Sequence, residues 1–206
     1  MTAPDWLDLA KRIQSIAQVG LTYAENGYDQ ERYQELQDLS VRIMQNLTDA
    51  PVEKIRALFA NETGYQTPKV DVRGVVFEGD KILLVRERLD GCWSLPGGWA
   101  DVGYSPREVA AKEVREEAGL EVTTGRLLAV LDKKCHPHPP SPYHTYKIFI
   151  ECHPAGGALA AGMETSEVGY FSPDHLPPLS LERITESQIR LLFDLRAHPE
   201  RPPVVD

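Results

Sequence analysis

The sequence of 206 residues has no long apolar run, few cysteines and no excess of positive charge. Because no stretch of roughly 18 apolar residues occurs, we expect no transmembrane helix. Asp5 and Asp8 lie where a signal peptide needs a basic segment and then an apolar one, so we expect no signal peptide. The three cysteines, at positions 92, 135 and 152, are too few and too scattered for a disulfide framework. These absences favour a reducing, cytoplasmic location.

The charge balance is acidic, with 22 Lys and Arg against 31 Asp and Glu and a formal net charge of −9. Proteins that bind nucleic acid through a broad surface need clustered Lys and Arg, so we expect no DNA binding. The same balance allows a small phosphorylated substrate, because a bound divalent cation can reverse the local field of an acidic site.

The N-terminal third of the chain has a helical pattern. Apolar residues recur at three- and four-residue spacing over Trp6–Leu21, and a second helix follows with Asp29 as its cap. A third, short helix is predicted near 51–59. Helices of this size bury little surface alone, so their apolar faces should pack on another subunit or on the rest of the chain. We therefore divide the chain into an N-terminal helical domain, 1–66, for dimerisation or substrate selection, and a second domain, 67–206.

The second domain mixes strands and helices without regular alternation, which favours an α+β fold over a doubly wound sheet. A polar linker over 61–68 leads into it. The predicted strands are 70–77, 82–85, 126–131, 143–151 and 168–171, with a last helix over about 181–195.

A glycine-rich turn and a capped helix make the middle of the chain the most informative part. The turn Pro96-Gly97-Gly98 has the backbone freedom to approach a ligand or a metal. Ser105 and Glu108 have the spacing of a capping box, and Gly119 supplies a C-terminal stop. The pattern predicts a helix over 106–118.

Three carboxylates share one face of this helix, because Glu113, Glu116 and Glu117 stand at i, i+3 and i+4. Like charges at this spacing cost about 0.2–0.5 kcal/mol each on an exposed helix. A hard divalent cation such as Mg²⁺ or Mn²⁺ prefers carboxylate oxygens and would remove the repulsion. The alternative from the spacing alone is a solvated acidic face, balanced by Lys112 and Arg115.

The same segment resembles the Nudix box, the signature of the Nudix hydrolases. That pattern is a glycine, five residues, a glutamate, seven residues and then Arg-Glu-apolar-x-Glu-Glu-x-Gly-apolar. Tyr104 stands where the first glutamate is usual and Lys112 where the arginine is usual, so the pair that commonly braces the loop is altered. The matching positions are Gly98, Glu113, Val114, Glu116, Glu117, Gly119 and Leu120.

The whole chain is similar to one branch of that family, which has an N-terminal Nudix-associated domain and includes bacterial CDP-choline pyrophosphatases. The resemblance is carried by the helical N-terminus and the runs YQTPKVDVRG, LPGGWADVGYSP and HPHPPSPYHTYK. It implies the Nudix α/β/α sandwich around a mixed sheet. It also implies a homodimer that uses the N-terminal helices.

The resemblance implies metal-dependent hydrolysis of a nucleoside diphosphate linked to a group X, giving a nucleoside monophosphate and phosphorylated X. Glu113, Glu116, Glu117 and the carbonyl of Gly97 would hold Mg²⁺ or Mn²⁺. The group X stays open between CDP-choline, ADP-ribose and nucleotide sugars, with the 5′ end of RNA as another substrate. A non-catalytic nucleotide-sensing regulator and a protein-docking role for the N-terminal helices are the readings from other classes.

The attacking water needs a general base within hydrogen-bond reach. In this family the base can be a glutamate of the box, here Glu116 or Glu117, or one from a later loop. Glu164 and Glu167 are the loop candidates, since they precede a predicted strand in a run of small residues. The alternative is that both are ordinary surface acids.

Arg86 and Arg88 follow an apolar strand and could hold substrate phosphates bidentately. Ion pairs of these arginines with Glu87 or Asp90 are the alternative. The two arginines precede the loop that leads into the box.

Three further residues are candidates for substrate contact. Trp99 could stack on a base, although a tryptophan beside a turn is more often part of the core. Lys134 and His136 lie in a polar patch beside a proline-rich turn, where substrate contact or loop structure is expected rather than a zinc site of usual spacing.

Overall fold

The computed structural model describes residues 6–206, with the side chain of residue 58 left out. Residues 1–5 of the predicted N-terminal domain, which include Asp5, lie outside the described residues. Two compact units are present: one runs up to Pro68 and includes Pro140–His144, and the other comprises Lys69–Pro139 and Thr145–Asp206. No helix within 6–206 is both long enough and apolar enough to cross a membrane. The division at 66/67 into domains with separate roles stays a prediction.

Three helices build the first unit: α1 (Trp6–Tyr23), α2 (Gly27–Gln45) and α3 (Val52–Phe59). Their small core contains Ala10, Val41, Met44, Ile55 and Phe59. The three predicted helices are therefore confirmed.

The predicted cap of α2 was wrong by three residues. Asn26, not Asp29, is the N-cap, and its side-chain Oδ1 accepts the N–H of Asp29 at 2.9 Å. The reason is that Gly27 is the first residue of the helix rather than the break before it. An asparagine ahead of it satisfies the free N–H groups of the first turn.

The second unit holds a mixed sheet and two helices, as the predicted fold class requires. Its strands are β1 (Lys69–Glu78), β2 (Lys81–Glu87), β3 (Trp93–Ser94), β4 (Gly97–Trp99), β5 (Leu120–Asp132), β6 (Thr145–Gly157), β7 (Thr165–Phe171) and β8 (Val204–Val205); its helices are α4 (Pro106–Ala118) and α5 (Glu186–Ala197), with a 3₁₀ turn at Lys133–Cys135. The order is β3-β2-β1-β6-β5-β8, with β4 paired to β1 and β7 to β2. β1 runs parallel to β6 and antiparallel to β2 and β4.

The two helices cover opposite faces of this sheet, because side chains alternate along each strand. Val75 and Phe149 lie in one core with α5, whereas the adjacent Val76 and Ile150 lie in another core with α4. The expected α/β/α sandwich is confirmed within this unit.

The last helix begins later than predicted. It starts at Glu186 rather than near Leu181, because Thr185 caps it and forms a capping box with Gln188. The apolar residues just before it belong to a loop. The strand β5 begins at Leu120 rather than at 126, and β6 runs over Thr145–Gly157 rather than over 143–151. The C-terminal end of β6 is exposed and was not marked by an apolar pattern.

Gly119 provides a test of how α4 is ended. Its φ of 74° is left-handed, and an added Cβ would lie 2.5 Å from the carbonyl oxygen of Ala158. We expect Gly119→Ala to lower the free energy of unfolding by about 1–2 kcal/mol from backbone strain, and by about 1–3 kcal/mol more from overpacking. Urea unfolding followed by circular dichroism measures the change.

Gly79→Ala is the matched control, because its φ of 54° is also left-handed but nothing lies within 4 Å of the added Cβ. Gly79→Ala should show only the loss in free energy of unfolding that comes from backbone strain. Equal losses for the two variants would mean that the contact with Ala158 does not matter.

Candidate functional site

Helix α4 is built as its sequence predicts. Ser105 accepts the N–H of Glu108, and the Glu108 carboxylate accepts the N–H of Ser105 at 2.8 Å, which completes the capping box. Pro106 is the first helical residue, and Gly119 ends the helix in the left-handed conformation. The bounds Pro106–Ala118 agree with the prediction, so the positions of the three glutamates on the helix are fixed by local chemistry.

Glu117 is the most buried of the three glutamates, with 7% of its surface exposed. Its Oε2 accepts the backbone N–H of Gly97 at 3.0 Å. Burial raises the pKa of Glu117 to about 8, against the lowering effects of the Gly97 hydrogen bond and of Arg73. The carboxylate is therefore directed at the glycine turn, and a cation bound beside it would stabilise its charged form against the effect of burial.

Glu113 and Glu116 are directed at Lys112. The Lys112 Nζ lies 3.7 Å from Glu113 Oε1 and 3.3 Å from Glu116 Oε2. Burial raises the pKa of Glu113, and the carboxylates of Glu116 and Glu164 add to the rise, while Lys112 opposes it. One ammonium thus partly compensates two carboxylates whose mutual repulsion the sequence predicts.

The donor set fits a hard divalent cation, since it consists of carboxylate oxygens and a neighbouring backbone carbonyl. A cation is already accommodated between Glu113 and Glu116, in the form of the Lys112 ammonium. Within residues 6–206, however, no three His, Cys, Asp or Glu side chains are gathered so that they could hold one metal ion. The shared helix face is present, but Glu117 points to Gly97, so binding by all three glutamates requires side-chain rotation.

Lys112, one of the two residues that replace the usual brace of the box, pairs with an aspartate of the preceding loop. Tyr104 is about half exposed, and the Lys112 Nζ lies 3.4 Å from Asp101 Oδ2. Asp101 belongs to the loop between β4 and α4, so the Asp101–Lys112 pair joins that loop to the helix. An exposed pair of this kind contributes at most about 1 kcal/mol.

The loop that carries Glu164 is fastened to the end of α4. The buried hydroxyl of Thr165 donates to the carbonyl of Glu117 at 2.9 Å and accepts the N–H of Gly162 at 2.7 Å. The N–H of Ala160 donates to the carbonyl of Ala118 at 3.0 Å. The Glu164 carboxylate also raises the pKa of Glu113, so it acts electrostatically on that one carboxylate of the helix.

Glu167 lies elsewhere, in an ion pair that joins β7 to β2. Its Oε1 accepts from Arg86 Nη1 at 2.6 Å, and Arg86 Nε donates to the carbonyl of Gly91 at 2.8 Å. Arg88 donates through Nε to the carbonyl of Met163 at 3.0 Å. The two arginines thus contact the Glu164 loop and β7, whereas Glu87 and Asp90, the ion-pair partners considered from sequence, pair with Arg183.

The other substrate candidates are spread over the sheet. Trp99 is 53% exposed on β4, while Trp93 is packed edge-on against Phe171 in the core. Lys134 pairs with Asp132 at 3.9 Å, and His136 Nε2 lies 3.1 Å from Asp206 Oδ2. Trp99 is therefore near the glycine turn, and the Lys134–His136 patch lies past the end of β5.

Sequence reasoning missed a buried charged cluster beside the turn. Asp71, Arg73 and Lys147 are each at most 4% exposed, and Arg73 lowers the pKa of Glu117. The pattern VDVRG contained the evidence, because two charged residues at i and i+2 of an apolar strand point to the same face. Asp101 and Thr165 carried no comparable sign in the sequence.

Comparison with known proteins agrees with this geometry. The Nudix domain matches residues 67–195, and a domain described as UDP-X-like, N-terminal oligomerisation matches residues 4–59. The chain belongs to the Nudix family. As a Nudix pyrophosphohydrolase it is an enzyme that acts on acid anhydrides of phosphorus, so the enzymatic interpretation is confirmed.

Similar proteins cover most or all of this Nudix chain. The "Putative ADP-ribose pyrophosphatase YjhB" of Bacillus subtilis (strain 168) is 49% identical over 98% of this chain and 97% of its own. A crystal structure of an ADP-ribose pyrophosphatase from Streptococcus suis 89-1591 is 44% identical, with a TM-score of 0.63, over 68% of this chain and 100% of its own. A crystal structure of a UDP-X diphosphatase is 33% identical, with a TM-score of 0.64, over 98% of both chains. Nudix hydrolases in general need divalent metal ions, which agrees with the donor set on α4.

Thr165 provides a test of the loop anchor in this Nudix site. Thr165→Val keeps the shape but leaves the Gly162 N–H and the Glu117 carbonyl without the hydroxyl. We expect a loss of about 1–3 kcal/mol in the free energy of unfolding, with a parallel fall in hydrolysis because the loop that carries Glu164, a candidate base, is no longer held. Urea unfolding and a pyrophosphatase assay measure the two effects.

Ser166→Ala is the control, since the Ser166 hydroxyl is exposed and donates to the carbonyl of Arg86 at 3.3 Å. It should change the free energy of unfolding by about 0.5 kcal/mol or less. If Thr165→Val were as active as Ser166→Ala, the anchor would not serve the site.

Proposed function

We propose that this Nudix enzyme hydrolyses the diphosphate of a nucleoside diphosphate linked to X, and that ADP-ribose is its substrate. Water is added across the diphosphate bridge, so that ADP-ribose gives AMP and ribose 5-phosphate. The observation that carries the chemistry is the set Glu113, Glu116 and Glu117 on α4 beside the Gly97 turn. The choice of ADP-ribose over CDP-choline or a nucleotide sugar rests on the names of the relatives that are 49% and 44% identical.

Glu113, Glu116, Glu117 and the carbonyl of Gly97 are the groups that would hold Mg²⁺ or Mn²⁺. Such an ion would supply positive charge to the diphosphate and would make the attacking water more acidic. The protein supplies the oxygens on one rigid helix, and the Gly97 N–H holds Glu117 beside the turn. Lys112 keeps a positive charge beside Glu113 and Glu116.

Glu164 is the general base that the contacts favour. It is exposed, it lies within electrostatic range of Glu113, and its loop is anchored to α4 through Thr165. Glu167 Oε1 is already engaged by Arg86 Nη1 at 2.6 Å, so that oxygen is occupied by the guanidinium. Glu116 and Glu117 are assigned to the metal in this proposal.

Substrate contact is proposed for the remaining sequence candidates according to where they lie. Trp99 has the exposed ring needed to stack on the base. Arg88 donates to the carbonyl of Met163, next to Glu164, and Arg86 pairs with Glu167 on β7, so these two guanidinium groups are the proposed phosphate ligands. Lys134 and His136 are the candidates for contact with X.

A substrate screen with paired variants tests this proposal. ADP-ribose, UDP-glucose and CDP-choline are incubated with Mg²⁺ or Mn²⁺, and phosphorylated products are quantified. We expect ADP-ribose to have the highest kcat/KM, and chelation with EDTA to abolish turnover. A different best substrate would replace ADP-ribose, and turnover that survives EDTA would remove the metal from the proposal.

Glu164→Gln and Glu167→Gln form the matched pair for the base. We expect Glu164→Gln to lower kcat by about 10²–10⁴, which is the usual contribution of a general base, and Glu167→Gln to lower it by less than about tenfold. Glu116→Gln and Glu117→Gln should weaken Mn²⁺ binding in calorimetry as well as activity. Equal rates for wild type and the two helix variants would contradict the site itself.

We propose that residues 1–66 form a homodimer interface. The helix α1 exposes apolar side chains at helical spacing, and the matching N-terminal domain is described as an oligomerisation domain. These side chains are Trp6, Leu9, Ile16 and Tyr23, each at least 42% exposed in the single chain. A stripe of this kind is typical of a surface that is covered in the assembly.

Ile16→Glu tests the interface, because a buried charge without a partner would separate the subunits. We expect wild type to elute as a dimer and Ile16→Glu as a monomer in size-exclusion chromatography with light scattering. Gln34→Glu adds the same charge to an exposed position of α2 and should remain a dimer. A monomeric wild type, or a dimeric Ile16→Glu, would count against this interface.

A further inference from the structure

Asp71, Arg73 and Lys147 form a buried charged cluster on two parallel strands. Asp71 and Lys147 are opposite each other in the β1–β6 register, and Arg73 follows two residues after Asp71 on the same face. Arg73 binds Asp71 bidentately, with Nη2–Oδ1 at 2.7 Å and Nε–Oδ2 at 3.1 Å, and the Lys147 ammonium donates to the same carboxylate. Burial would raise the pKa of Asp71, but Arg73 and Lys147 outweigh it and lower that pKa to about 2.

Among the contacts described, Arg73 is the only cation of this cluster that contacts the glycine turn. Arg73 Nη1 donates to the carbonyl of Leu95 at 3.0 Å. The hydroxyl of Ser94 is also 3.0 Å from that carbonyl, but it is 2.7 Å from the carboxylate of Glu87, and it has a single proton to donate. The guanidinium is therefore the side-chain donor that holds Leu95, while its other two bonds fix it on Asp71.

The turn is tightly packed on Arg73 as well. Gly97 pairs with Arg73 across β1 and β4, and a Cβ at Gly97 would lie 2.8 Å from the Arg73 Cα and 2.9 Å from its Cδ. The N–H of Gly74 donates to the carbonyl of Pro96 at 2.9 Å. Both contacts hold the turn against β1, with the Gly97 N–H directed towards the Glu117 carboxylate.

We propose that Arg73 is a positioning residue: clamped on Asp71, it holds the Leu95 carbonyl and so keeps the Gly97 N–H directed at Glu117. This role rests on the proposed function of Glu117 as a metal-binding carboxylate. Arg73 acts through the turn and does not itself contact the substrate. Lys147 stabilises the same aspartate but makes no described contact with the turn.

Two variants at position 73 separate positioning from burial of charge. Arg73→Met removes the guanidinium and leaves Asp71 and Lys147 as a neutral buried pair. Arg73→Lys keeps the charge beside Asp71, but one ammonium cannot replace a planar group that binds Asp71 with one edge and Leu95 with another nitrogen. Lys147→Met is the matched control, because it removes an equally buried cation and leaves all three Arg73 bonds in place.

The primary readout is the hydrogen exchange of the Gly97 amide in the full-length protein without added metal, measured by NMR. We expect its protection to fall at least tenfold relative to wild type in both position-73 variants, and to change less than about threefold in Lys147→Met. Mn²⁺ affinity, from calorimetry, should fall at least tenfold in the position-73 variants. Thermal unfolding of each variant reports any general loss of stability.

The outcomes distinguish this role from a merely structural one. If Lys147→Met lost as much Gly97 protection as Arg73→Met, or if Arg73→Lys kept wild-type protection, the positioning role would be overturned. If Arg73→Met did not fold, Arg73→Lys against Lys147→Met would still decide. If the wild type cleaved no nucleoside diphosphate compound, the proposed function would be wrong. The hydrogen exchange of the Gly97 amide would still show whether Arg73 positions the turn.

Discussion

The hydrogen bond between the Gly97 N–H and the Glu117 carboxylate joins the two halves of the candidate site. The glycine turn belongs to an edge strand of the sheet, and Glu117 belongs to the helix that covers one face of it. The bond requires the turn to come close to the sheet, and Gly97 has no Cβ to prevent this approach. It also requires a carboxylate to be buried, which is costly unless partners surround it. Much of the arrangement around α4 supplies those partners.

Compensation of buried charge explains why the charged residues of the site occur in groups. Arg73 and the glycine amide act on Glu117, while Lys112 is shared by Glu113, Glu116 and Asp101. Each group of charges holds one backbone segment against another backbone segment. The arrangement suits an enzyme that must hold several carboxylate oxygens close together, because neighbouring cations compensate their mutual repulsion.

The loop with Glu164 shows how the same helix also organises the other side of the site. The C-terminal end of α4 offers free carbonyl groups, as every helix end does. Ala160 and Thr165 use the carbonyls of Ala118 and Glu117. The loop that carries the proposed base is thus attached to the helix that carries the proposed metal ligands, and movement of one would be transmitted to the other.

The sequence by itself determined the local structure of α4, because the capping box, Pro106 and Gly119 act within a few residues of one another. It also indicated the glutamate face and the family, through a pattern of 23 residues with two departures. It misjudged the cap of α2, where Asn26 rather than Asp29 takes that role, and it placed the start of α5 before its cap, Thr185. Only the tertiary structure decided the partners of the charged side chains. Lys147 meets Asp71 from 76 residues away, and Arg86 meets Glu167 from 81 residues away. Such pairs depend on strand register and helix packing, which no local pattern specifies.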